Sequence, residues 1–105
     1  LVQVMNFNLS HCAELYAELA PSISDTISLD GSNKQIAKAL IDFIAGLIKQ
    51  LKLPVSLAAM GIGESDINTL ANDAMLQTRL LVNNPKSVTL EDVKHIYSQA
   101  HRGIV

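Results

Sequence analysis

The stretch Asp66-Ile67-Asn68-Thr69-Leu70-Ala71-Asn72-Asp73-Ala74-Met75-Leu76-Gln77-Thr78-Arg79-Leu80-Leu81-Val82-Asn83-Asn84-Pro85, followed closely by Thr89-Leu90-Glu91-Asp92-Val93-Lys94-His95-Ile96-Tyr97, decides the fold. Ile67, Leu70, Ala71 and Ala74 recur at spacings of three and four, so residues from about Asp66 to Gln77 form a helix with one apolar face. Leu90, Val93, Ile96, Tyr97 and Ala100 repeat that spacing in a closing helix. Thr89 and Asp92 make an acidic version of the capping box at its start, and Gly103 ends it. Between the helices, Arg79 to Pro85 reads as a loop carrying one cation, three apolar residues and two amides. Apolar residues in a loop need a partner surface, and none is evident in the neighbouring sequence.

Working outward, Ser32 with Gln35 three residues on is a second capping box. It opens the longest helix, to about Leu51, with Ile36, Ala37, Leu40, Ile41, Phe43, Ile44, Leu47, Ile48 and Leu51 apolar. A helix apolar around most of its girth is expected to be covered on several sides, as the spine of a bundle. Leu53-Pro54 stops it, since the residue before proline is pushed out of the helical region. Ser56 to Met60 reads as a single turn closed by Gly61. Upstream, Leu1 to Phe7 reads as the last turns of a helix, Asn8 to Ser10 as a break, and Cys12 to Ala20 as a further helix. Pro21 to Ser32 is loop chemistry. The result is an all-α, antiparallel bundle of about five helices, a single helical domain over 1–105.

Composition narrows function. Of 105 residues, 49% are hydrophobic but only 4% aromatic, so Leu, Ile, Val and Ala fill the core and helix is favoured over sheet. A net charge of -2 gives no electrostatic footprint for nucleic acid or an anionic membrane surface. No apolar run reaches the roughly 18 residues of a spanning helix. The lone Cys12 cannot form an internal disulfide, which fits a reducing compartment and a cytoplasmic location. His11, His95 and His101 lack metal-ligand spacing and carboxylate partners. Ser, His and Asp occur without a Gly-x-Ser-x-Gly elbow, and Gly61-Ile62-Gly63 lacks the strand and third glycine of a phosphate loop. A helix-turn-helix around Ala58, Gly61 and Ile67 would present Asp66, Asn68, Asn72 and Asp73 to phosphates, which repels them.

Ala74-Met75, Asn84-Pro85 and Thr89-Leu90-Glu91-Asp92-Val93-Lys94-His95-Ile96-Tyr97 together resemble the C-terminal end of the iron-containing (type III) alcohol dehydrogenases. Leu1, Val4, Met5, Phe7 and Asn8 fit a further family segment, while Val2 and Gln3 stand where Pro and His are usual. The resemblance is strongest over 53–101, weaker over 1–20. It implies the distal part of a dehydroquinate synthase-like helical domain. The parent enzyme would transfer hydride between an alcohol or aldehyde and NAD(P), with Fe²⁺ or another divalent metal polarising the oxygen. The family's Asp and three His ligands and its nucleotide motif would lie upstream, so this chain binds no cofactor itself and is silent alone. Its partner is the N-terminal nucleotide-binding and metal-ligand portion of the same parent chain.

The same resemblance brings Arg79, Leu80 and Asn84 near substrate or cofactor, at one wall of the cleft. The position matching Leu80 often carries Cys or a small residue, so Leu80 departs from part of the family. The bland reading has Leu80, Leu81 and Val82 sealing the loop onto the bundle, with Asn84-Pro85 making the turn. The opening Leu1-Val2-Gln3-Val4-Met5 reads as the interior of an apolar segment, which predicts a piece of a longer protein and self-association through Leu1, Val4, Met5 and Phe7. The alternative is a stand-alone helical protein-interaction module without catalysis.

Overall fold

The computed structural model describes residues 1–104; Val105, the last residue of the expected domain, lies outside the described residues. The chain is all-α, with five helices and no strand among the described residues. They are α1 (Val2–Ile23), α2 (Asn33–Gln50), α3 (Ile67–Met75), α4 (Thr78–Leu81) and α5 (Leu90–Arg102). Two 3₁₀ turns, Ala58–Met60 and Glu64–Asp66, precede α3. Contacts gather into two compact units, Leu1–Lys52 and Leu53–Val105.

In the first unit, α1 and α2 pack together. They run antiparallel: Asn33 and Ile36 lie beside Ala17 and Glu14, while Lys38 Nζ, further along α2, donates to Asn6 Oδ1 at 3.3 Å. Ser32 caps α2 through the full box. Its Oγ accepts from the Gln35 amide at 3.2 Å, and Gln35 Oε1 accepts from the Ser32 amide at 2.8 Å. Ala20, Ile27 and Leu40 form the buried centre, with Met5, Tyr16, Ile36, Ala39, Phe43 and Ile44 around it.

Three expectations for this unit need correction. First, α1 is continuous across Asn8 to Ser10. Asn8 and Cys12 are buried on it, and burial outweighs the weak local preference of Asn and Ser for helix starts. Second, the helix passes Pro21 to end at Ile23, with the Ser24 amide on the Ala20 carbonyl at 3.2 Å. Proline removes one donor, but Ala17 and Ala20 are packed in the core, and that holds the last turn. The following loop is also not wholly superficial, because Ile27 turns into the core. Third, α2 is not covered on several sides. Its buried positions are Ala37, Leu40 and Ile41, whereas Leu47 and Leu51 are exposed. The first unit supplies only one helix to pack against it.

The second unit is built around the end of α5. Gly103 takes the left-handed conformation at φ 72, and its amide meets the Ala100 carbonyl at 3.3 Å while the Ile104 amide meets Gln99 at 2.9 Å. That is a Schellman ending, which satisfies carbonyls the helix leaves open. A third donor comes from far away in sequence: the Leu57 amide reaches the Ala100 carbonyl at 3.0 Å. A Cβ on Gly103 would stand 3.1 Å from the Val55 carbonyl, so the 55–56 backbone lies close against the cap. Ser56 Oγ accepts from the Ala59 amide at 3.0 Å and starts the Ala58–Met60 turn, which Gly61 closes at φ 84.

α3 then packs against α5, burying Ile67, Ala71 and Val93. It is shorter than the expected Asp66 to Gln77. Asp66 belongs to a 3₁₀ turn, where its Oδ2 accepts from the Gly63 amide at 3.0 Å and so spends the carboxylate on the loop side of the helix.

At the start of α5, Asp92 Oδ2 accepts from the Thr89 amide at 2.9 Å and from the Thr89 hydroxyl at 2.8 Å. The Asp92 amide returns a bond to Thr89 Oγ1 at 3.2 Å. Hydrogen bonds from the Thr89 backbone, then from its hydroxyl, hold the Asp92 carboxyl below its ordinary range. A depressed folded-state pKa means the unfolded chain binds the proton more readily. The resulting stability is present above the unfolded-state value and is lost as pH falls through the folded-state value. Urea unfolding of the second unit, followed from neutral pH down through the carboxylate range, should therefore show Asp92→Asn removing part of the acid dependence. Thr89→Ala should cost about 1 kcal/mol at neutral pH. An acid limb identical in wild type and Asp92→Asn would contradict this account of the cap.

Candidate functional site

The Arg79 to Asn84 segment is more ordered than a loop. Gln77, at φ -83 and ψ 56, breaks the helical path after α3. Its carbonyl then accepts from the Leu80 and Leu81 amides, each at 3.0 Å, and the single turn α4 begins. Arg79 and Leu80 thus sit on a helical turn rather than in the loop expected there. A four-residue helix leaves almost no trace in sequence periodicity, which accounts for the error.

One side-chain amide holds the turn and a second holds the stretch that follows it. Asn83 Nδ2 donates to the Arg79 carbonyl at 3.1 Å, and Asn84 Nδ2 donates to the Lys86 carbonyl at 2.7 Å. Asn84 is half-buried and acts through its neighbour's backbone, directing the chain toward Thr89 and α5. The amides of Asn83 and Asn84 bond to Leu80 and Leu81 at 3.2 and 3.1 Å, so the segment is wound on itself up to Pro85.

Its apolar side chains point largely outward. Leu80 is 64% exposed and Val82 78%, while Leu81 is half-buried. The expected seal is therefore not made by Leu80 or Val82, and only Leu81 of the three is half-buried. Leu76, at the end of α3, is 75% exposed and joins them; the helix pattern drawn through Gln77 concealed it. Arg79 is exposed and enters no ion pair among the described residues. The structure brings Arg79 and Leu80 onto one turn and uses Asn84 to build the turn behind them. What results is a preordered surface with one cation and an apolar rim, bearing no general acid or base.

The remaining chemically capable side chains are dispersed. His101 donates from Nε2 to the Ile62 carbonyl at 2.9 Å; a carbonyl only accepts, so that nitrogen carries the proton. Sequence spacing held no signal for this contact, because the partner lies 39 residues away. His95 is exposed, and His11 is exposed with Nδ1 beside Ser10 Oγ at 3.1 Å. On α1, burial pushes the Tyr16 phenol above its ordinary range, Cys12 adds to the rise, and a hydrogen bond with Asn8 opposes it. Among the described residues no three His, Cys, Asp or Glu side chains come together as a metal site. The residues present do not fit an iron centre. Among the described residues no helix is long and apolar enough to cross a membrane.

Comparison with known proteins gives this surface its setting. The C-terminal model of the Fe-containing alcohol dehydrogenase family matches residues 1–101. Long-chain-alcohol dehydrogenase 1 of Geobacillus thermodenitrificans is 25% identical over 105 residues, covering 100% of this chain and 26% of the relative. Lactaldehyde reductase of Escherichia coli is 28% identical over 101 residues, 95% of this chain and 26% of the relative. The mitochondrial hydroxyacid-oxoacid transhydrogenase of Caenorhabditis briggsae is 26% identical over 94 residues, 90% of this chain and 20% of the relative. The chain thus spans about a quarter of the length of the curated relatives it matches. No solved structure matches it significantly. With the family model running from residue 1 through residue 101, the chain belongs to the iron-containing alcohol dehydrogenases, in the C-terminal, all-helical part of that family.

Proposed function

We propose that this chain is the C-terminal helical part of a metal-dependent, NAD(P)-linked alcohol or aldehyde oxidoreductase, forms one wall of its catalytic cleft, and is inactive alone. The observation that carries the reading is the family match over residues 1–101, on a chain whose own side chains assemble no metal site among the described residues. Iron or another divalent metal, its ligands and the nucleotide motif would come from the N-terminal portion of the same parent polypeptide. This chain's contribution would be shape and solvent exclusion rather than proton transfer.

In that role the turn from Arg79 to Asn84 would face the cleft. Leu80 and Val82 would keep water from one side of the reacting carbon, where a dry environment protects hydride transfer from competing proton chemistry. Arg79 would add a fixed positive charge toward substrate or cofactor phosphate, and Asn84 would keep the turn in place. In the isolated chain Leu1 is 74% exposed and Val4 40%, with Met5 and Phe7 half-buried on the same helix, a surface suited to self-association.

The test compares two polypeptides with Fe²⁺ and either NAD⁺ or NADP⁺ over a set of primary alcohols and diols. The 105-residue polypeptide should show no alcohol-dependent cofactor reduction, and its sedimentation should reveal concentration-dependent association. The complete product of the reading frame should reduce cofactor, with Leu80→Asp lowering kcat/KM roughly tenfold or more, a transition-state loss of about 1.4 kcal/mol. Turnover by the 105-residue polypeptide, or a fully active Leu80→Asp enzyme, would contradict the proposal.

A further inference from the structure

In the first unit, α1 carries an outward apolar feature of its own. Leu15, Leu19 and Ile23 are 62%, 47% and 46% exposed, although all three are aliphatic and lie within the helix. Spaced by four, they share one side of α1, distinct from the side where Ala17 and Ala20 are buried. They form a ridge about 12 Å long. Glu14 and Glu18, both exposed, run along its flank.

We propose that this ridge is the docking surface for the portion of the same polypeptide that precedes Leu1, an inference that rests on reading the chain as part of a longer oxidoreductase. Size separates a tethered occupant from a free one. A stable interface between separate proteins takes roughly 800 Å² from each partner. Three aliphatic side chains supply a small fraction of that. A segment of the same polypeptide loses no translational freedom on docking, so a ridge this small suffices. Charge argues against a second copy as well. Two such ridges packed antiparallel about a twofold axis would set the Glu14 and Glu18 flank of one against the same flank of the other. The length is available: about three quarters or more of each of the relatives above lies outside the matched region, and the matched family model is the C-terminal one.

The experiment uses the complete product of the reading frame carrying Leu19→Cys or Ile23→Cys, with Ser87→Cys as an exposed reference. Each is reacted with a water-soluble maleimide over a wide range of protein concentration, and the modified residue is located by peptide fragmentation. Covered positions should react at least roughly tenfold more slowly than Ser87→Cys, by the same amount at every concentration. Reaction as fast as Ser87→Cys would overturn the proposal. So would protection that disappears on dilution, since that would make the occupant a second copy. Cofactor reduction by the same preparations is measured separately. An inactive protein with a protected ridge would sink the oxidoreductase reading and leave the docking surface standing; an active protein with an open ridge would do the reverse.

Discussion

The amide of Leu57 reaching the carbonyl of Ala100 is the contact on which the second unit depends. A helix end leaves carbonyls open, and here the segment before the first 3₁₀ turn adds a second donor to one that Gly103 also reaches. Gly103 lets the Val55 and Ser56 backbone approach closely enough for that bond, and His101 adds a second tie to the Ile62 carbonyl. With both ends of α5 fixed, one by this wrap and the other by the Thr89–Asp92 box, α3 has a firm surface against which to bury Ile67 and Ala71. The α4 turn then follows α3 directly. Arg79 and Leu80 owe their backbone path to bonds within the turn itself, from the Leu80 and Leu81 amides to the Gln77 carbonyl and from the Asn83 side chain to Arg79.

That rigidity gives the exposed apolar side chains their meaning. An exposed leucine is ordinary on a protein surface. Leu80 and Val82 differ because the backbone around them is hydrogen-bonded, from the Asn83 side chain to Arg79 and from the Asn83 and Asn84 amides to Leu80 and Leu81. A preordered turn that presents apolar groups and one guanidinium suits contact with something already shaped.

Both capping boxes were legible because Ser32 with Gln35 and Thr89 with Asp92 are complete within four residues. The left-handed stops at Gly61 and Gly103 were legible for a similar reason, since glycine alone reaches that conformation without strain. Failures came where a local preference met a distant contact. Asn8 and Ser10 suggest a helix start, yet Asn8 is buried within a continuous α1. Pro21 suggests a stop, but Ala17 and Ala20 hold the turn around it in the core. At the candidate site the local conformation was not legible. Arg79, Leu80 and Asn84 were singled out through the resemblance, whereas α4 is too short to give a period. The outward direction of Leu80 and Val82 depends on Gln77 breaking the helix, which nothing in its residue type announces.

The most direct test of the central claim is the intact mass of the native protein from its source cells, set beside the length of its reading frame. The account predicts one polypeptide roughly four times the length of this chain, with the 105 residues forming its C-terminal part, as the coverage of its relatives suggests. A native product of about 105 residues would contradict it, because no upstream portion would exist to supply the metal ligands and nucleotide site, and the chain would stand as a helical interaction module.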